Sequence, residues 1–111
     1  MNETDKVKDI EYLYRAGAEA AAEGEAKRAL HFIDQVLQLD PNHAKAWNVK
    51  GNCLDSLGNC EEALRSYDAA ISLDPSNADI LFNKSETLKK LGRDKEALLM
   101  EDEAVKMELG E

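Results

Sequence analysis

Proline, cysteine, aromatic side chains and long apolar runs are all scarce in this sequence. Its two prolines, Pro41 and Pro75, leave most of the chain free of helix breakers. No run of alternating valine, isoleucine and threonine occurs, which excludes a sheet-based fold. No apolar stretch is long enough to span a bilayer, and the opening MNETDKVKDI carries none of the apolar core of a signal peptide. We therefore expect no membrane association and a cytoplasmic protein. Cys53 and Cys60 are the only cysteines, their spacing matches no zinc pattern, and no histidine is near enough in sequence to complete one. The expectation is no metal, no cofactor and two buried, reduced thiols, as suits the cytosol. Positive charge is also short: 14 Lys and Arg against 23 Asp and Glu, net -9. A nucleic-acid binder shows a basic stripe, so that class is excluded, as are anionic membrane surfaces. The acidic residues are spread along the chain, the pattern of a solubilising surface. There is no phosphate-cradling glycine loop, no nucleophile elbow and no His-Glu-x-x-His helix. Glu61-Glu62 and Glu101-Asp102-Glu103 are adjacent carboxylates, which on a helix point to different faces and do not converge as an acid/base pair. No catalytic residue is expected, and the chain reads as non-enzymatic.

What is present is a period. The stretch from Ala44 to Asn77 holds Trp47, Gly51, Leu54, Gly58, Ala63, Tyr67, Ala70 and Pro75. Shifted back by 34 residues it brings Gly17, Gly24, Ala29, Val36 and Pro41 into register; shifted forward it does the same for Leu81, Leu88, Gly92, Ala97 and Ala104. Gly51 and Ala63 mark a close approach of two antiparallel helices, with Trp47 and Tyr67 filling the space between them. Gly58 ends the first helix in the left-handed region. Asn59 is expected to cap the second, with Glu62 in capping-box spacing, and Asp74-Pro75 to stop it.

The pattern Trp47-x2-Lys50-Gly51-x2-Leu54, then Ala63-x3-Tyr67, then Pro75 resembles the tetratricopeptide repeat. Two positions depart from it: Lys50 stands in place of leucine and Leu54 in place of tyrosine. Lysine recurs one period on, at Lys84, and both are expected to bury their stems and keep their ammonium groups in water. The resemblance covers about Ile10 to the C-terminus. It implies an all-α fold of three helix-turn-helix units, six antiparallel helices stacked as a right-handed superhelical solenoid. The expected division of the single domain, 1–111, is an N-terminal extension of the first helix (1–9) and repeats at 10–43, 44–77 and 78–111. The expected helices are 5–23, 26–39, 44–57, 60–73, 78–91 and 94–108, with Met1 to about Asp5 frayed and Thr4 or Asp5 as first N-cap. His31 and His43 are read as solvent-facing. Ser66 is read as lying on an outward face.

In this family the first helices of the units line a concave groove, which implies a protein or peptide partner. Carried over by register, the peptide-binding positions are Tyr14, Arg15, Lys45, Asn48, Val49, Asn52, Phe82, Asn83 and Glu86. The three asparagines offer donors and an acceptor to a peptide backbone. Members that clamp the carboxylates of chaperone tails use positions matching Tyr14, Ala18, Val49, Asp79 and Asn83. Asn83 alone offers an amide there and Asp79 would repel a carboxylate, so that clamp is read as absent. The third unit is degenerate: Glu101 replaces the aromatic and Leu109 the proline. Leu98, Leu99, Met100, Val105 and Met107 crowd a last helix with none expected to follow. The alternative reading is therefore an assembly module. It would self-associate through residues 97–109 as a two-fold homodimer, with Glu101 at the rim or facing a lysine of the other chain, or be a piece of a longer array.

Overall fold

The computed structural model describes residues 2–111. Met1, the first residue of the expected frayed end and N-terminal extension, lies outside them. Six helices follow one another: α1 (Glu3–Ala22), α2 (Ala26–Leu39), α3 (Ala44–Ser56), α4 (Cys60–Leu73), α5 (Ala78–Lys90) and α6 (Asp94–Leu109). Every expected boundary lies within two residues of these, because the punctuation is steric. Gly58, at φ +83°, donates its N–H to Asp55 O at 3.0 Å, while Asn59 N–H reaches back to Leu54 O at 2.8 Å. Those two bonds satisfy carbonyls that the helix end leaves over, and only glycine adopts this backbone cheaply. The same pair recurs at residues 24–25 and 92–93.

Asn59 takes the N-cap position of α4, but its side chain makes no cap bond. The expected capping box is thus corrected: the Asn59 backbone is already committed to closing α3. The first helix is capped by Asn2, not by Thr4 or Asp5; the Asn2 side-chain oxygen accepts from Asp5 N–H at 2.9 Å.

Each helix packs on its neighbours in sequence. In addition α1 touches α3 and α3 touches α5, whereas among the described residues α2, α4 and α6 do not touch one another. The odd-numbered helices therefore crowd one side and the even-numbered ones splay apart on the other, so the stack curves with α1, α3 and α5 on the inside. Its smallest dimension, 20 Å, is two helix diameters.

The core runs along the seams. Tyr67, 1% exposed, is the largest fully buried side chain and packs with Leu54, Ala63, Ala70 and Ile80. A Cβ on Gly51 would stand 2.5–2.9 Å from three atoms of its ring, so the glycine is there to admit the ring. Ala29, Ile33, Val36, Ala97 and Ala104 are wholly buried at matching places in the other units.

Ser66 corrects the expected register. It is 3% exposed, and its hydroxyl donates to Glu62 O at 3.3 Å within its own helix. α4 is flanked by α3 on one side and α5 on the other, so its buried arc is wider than an outer helix of a single pair would need; it takes in Ala63, Leu64, Ser66, Tyr67 and Ala70. One period earlier, Phe32 faces the preceding helix, its Cβ lying 3.3 Å from where a Cβ on Gly17 would stand. Ala63→Leu and Ser66→Leu should therefore both overpack the seam, each lowering stability by about 1–3 kcal/mol. Thermal melts in which Ser66→Leu is as stable as wild type would restore the outward reading.

Candidate functional site

The inner face is built from the exposed sides of α1, α3 and α5. At its first-unit end lies an open pocket of about 500 Å³, lined by Ile10, Glu11, Tyr14, Arg15, Ala18, His43 and Lys45 among others. Tyr14 is half-buried there, its ring stacked on His43 at 4.9 Å, and burial raises its phenol pKa. His43 is not the solvent-facing residue expected. It caps α3, its Nδ1 accepting from Ala46 N–H at 3.0 Å, and that bond turns the ring toward Tyr14. His31 is exposed, as expected.

The asparagines are brought together differently from a simple exposed row. Asn83 Nδ2 donates to Asn48 Oδ1 at 3.1 Å across α5 and α3, and the Tyr67 hydroxyl donates to Asn52 Oδ1 at 2.6 Å. Both oxygens that α3 presents are thus held by the protein. These two bonds leave unused the NH2 of Asn48, the NH2 of Asn52, and the side-chain carbonyl and second N–H of Asn83. Val49, Phe82, Asn48 and Asn83 are half-buried, while Arg15, Lys45, Asn52 and Glu86 are exposed.

Asp55 closes the seam between units two and three. Its carboxylate accepts from the buried Thr87 hydroxyl at 2.8 Å and from Lys90 Nζ at 2.6 Å, which raises the lysine's pKa. The conjunction was not legible from sequence, since Asp55 and Thr87 lie 32 residues apart and neither stands out alone.

Lys50 and Lys84 are also not in open water. Lys50 Nζ pairs with Asp34 Oδ1 at 2.9 Å, and Lys84 Nζ with Asp68 Oδ1 at 2.7 Å. Each joins an even-numbered helix to the odd-numbered helix that follows it. The sequence carried the signal: Asp34 and Asp68 stand one period apart, as do the two lysines.

Cys53 is buried, and burial, with Asp34 nearby, raises its thiol pKa; Cys60 is only half-buried, so the expected pair of buried thiols reduces to one. At the other end of the stack Glu101 does not face outward. It pairs with Lys89 of its own chain and meets the Ser85 hydroxyl at 3.4 Å, because it occupies the inward place that Tyr67 fills in unit two. Met100 likewise turns inward, against Leu64, Leu88 and Ala97, and Met107 is half-buried. Leu98, Leu99 and Val105 are the exposed members of that set, at 57, 63 and 44%. No described helix is long and apolar enough to cross a membrane.

A two-layer stack of helix pairs with a polar inner face and exposed end surfaces defines the class of helical-repeat interaction modules. Residues 20–68 match the family model described as tetratricopeptide repeat, and residues 51–92 match a second described as TPR repeat. The chain belongs to the tetratricopeptide repeat family. A protein of Methanocaldococcus jannaschii, described only as uncharacterized, is 32% identical over 57 residues, covering 51% of this chain and 66% of that one. Among solved structures, YrrB, described as a TPR protein with an unusual peptide-binding site, superposes with a TM-score of 0.82 at 28% identity, over 88% of this chain and 50% of that one. MamA from AMB-1 superposes at 0.85 with 22% identity, over 92% and 60%. The type III secretion translocator chaperone SycD of Yersinia enterocolitica does so at 0.81 with 22% identity, over 88% and 76%. The last two likenesses concern the fold alone. The chain spans half to two thirds of the length of the first relatives it matches.

Proposed function

We propose that this chain is a non-enzymatic, cytoplasmic adaptor that binds an extended peptide segment along its inner face. The reading rests on one observation above all: Asn48, Asn52 and Asn83 are each fixed by a side-chain hydrogen bond within the protein that uses only one of their amide atoms. Side chains held in this way lose little entropy on binding, and peptide backbone offers both the carbonyls and the N–H groups they need. The pocket at Tyr14, Arg15 and Lys45 would take one bulky side chain of the ligand and Phe82 would contact another, with Val49 between and Glu86 at the far rim. Support comes also from YrrB, a TPR protein described as having an unusual peptide-binding site, at 28% identity. The buried free thiol of Cys53 suits a reducing compartment.

The test is a peptide-array screen on the intact chain, followed by titration of the best peptide. Asn48→Ala, Asn83→Ala and Tyr14→Ala should each weaken binding by about 1–2 kcal/mol. Asn48→Ala should also lose part of its effect in an Asn83→Ala background, since the two amides hold one another. A ligand whose cross-links map to α2, α4 or α6 would refute the groove.

A further inference from the structure

The outer edge of each even-numbered helix carries the same stripe, and the structure shows what covers it in two cases out of three. In α2 the stripe is Leu30, Asp34 and Leu37; in α4 it is Leu64, Asp68 and Ile71. Both are covered by the helix that follows, α3 and α5, and both aspartates receive a lysine from it, Lys50 and Lys84. In α6 the stripe is Leu98, Asp102 and Val105, with identical spacing, and it continues to Leu109. Here Leu98 is 57%, Val105 44% and Leu109 66% exposed, whereas Leu64 at the matching place in α4 is 6% exposed.

We propose that this stripe is a docking site for an amphipathic helix of a partner protein that carries a lysine opposite Asp102. The two internal covers specify the chemistry of that helix. In both, the lysine is preceded four residues earlier by a buried apolar side chain (Ala46, Ile80). It is followed directly by a small residue (Gly51, Ser85) and four residues on by a buried leucine (Leu54, Leu88). The apolar pair supplies buried area and the lysine fixes the register against the aspartate, whereas the small residue faces the helix beyond the cover, Gly51 toward Tyr67 and Ser85 toward Glu101. A surface pair of this kind contributes little affinity by itself; its value is in selecting position and partner.

A second copy of this chain does not fit the description. Stacked head to tail it would offer α1, and the α1 residue one period before Lys50 is Ala16. Stacked two-fold it would set α6 against α6. That helix carries Asp94, Glu96, Glu101, Asp102, Glu103 and Glu108 against only Lys95 and Lys106, so like charges would meet across the interface. The two-fold dimer expected from the apolar residues alone is replaced here by a lysine-bearing helix.

The probe is a lactam-stapled peptide of residues 78–92, helical by circular dichroism, which presents Ile80, Lys84, Ser85 and Leu88. It is titrated in low salt against the intact chain by fluorescence anisotropy. Leu98→Glu should weaken binding at least tenfold. Asp102→Lys should weaken it about three- to fivefold, the range of a surface ion pair, and a peptide with Lys84→Glu should recover that loss on the Asp102→Lys chain but not on wild type. Absence of binding by the helical peptide would overturn the proposal, as would affinity indifferent to Leu98→Glu. Light scattering that shows wild type dimeric at the assay concentration, and Leu98→Glu monomeric, would assign the face to a second copy instead.

Discussion

Gly51→Ala should destabilise the protein by about 1–3 kcal/mol, the cost of overpacking, although an exposed helical glycine changed to alanine gains roughly 0.5–1 kcal/mol. The sign is set by Tyr67. Its ring is 1% exposed and would lie 2.5 Å from the new methyl carbon, and its hydroxyl is tied to Asn52 at 2.6 Å. A ring held at both ends cannot retreat the way an aliphatic tip can. Gly17 is the internal control. There the new carbon meets the end of Ile33 at 2.7 Å, and a rotamer change can relieve it, so Gly17→Ala should cost less. The coupling gives a sharper test. Tyr67→Ala alone should cost about 3–5 kcal/mol, as for other large aromatic truncations in a core. In that background Gly51→Ala should stabilise, because the clash has gone and the better helix former remains. Urea unfolding of the four proteins closes the cycle; equal effects of Gly51→Ala with and without the ring would mean that something other than Tyr67 requires the glycine.

The same residues show where sequence was informative and where it was not. Gly24, Gly58 and Gly92, with Pro41 and Pro75, act through their own backbone geometry, which is why the helix ends were legible. Tyr67 and Gly51 were legible as a bulky and a small member of one period. Ser66 was misplaced because its small polar side chain carries no hydrophobic signal, and because α4 has a neighbour on each side. Glu101 was misplaced for the opposite reason: its charge suggested solvent, and only the position of Lys89 on α5 lets a carboxylate occupy the aromatic site. For the groove, the sequence named the asparagines but not which of their atoms are consumed within the protein, since that depends on the distances from α3 to α4 and to α5. The aspartate-lysine pairs could have been read, because both partners repeat with the period.

Stability should fall on the alkaline side of neutrality from about pH 9 upward, with Tyr67 making the steepest contribution. Burial holds its phenol far above the ordinary value of 10, and the nearby Asp55 carboxylate pushes the same way. In the unfolded chain the phenol is free to ionise near pH 10. Above that pH the unfolded state sheds a proton that the folded state keeps, so the equilibrium shifts toward unfolding by up to about 1.4 kcal/mol per pH unit. The Tyr67 contribution is thus fully present below pH 10 and disappears as the pH climbs toward the folded value. Cys53, whose thiol is raised by burial from an ordinary 9, acts with the same sign and begins earlier. Lys90, raised by its bond to Asp55, adds a smaller loss above its ordinary 10.5 as that bond is given up. Tyr67→Phe removes the phenol while leaving the ring in place, and Asn52, being exposed, can take water instead. Its cost at pH 7 should be about 0.5–1.5 kcal/mol, the ordinary worth of one hydrogen bond. Between pH 10 and 11 its stability should then fall less steeply than that of wild type, so that the two curves converge. Urea midpoints at pH 7, 9, 10 and 11 measure this directly, with exposed Tyr12→Phe as the control; parallel curves for wild type and Tyr67→Phe would show that the Tyr67 phenol ionises as readily in the folded protein as in the unfolded chain.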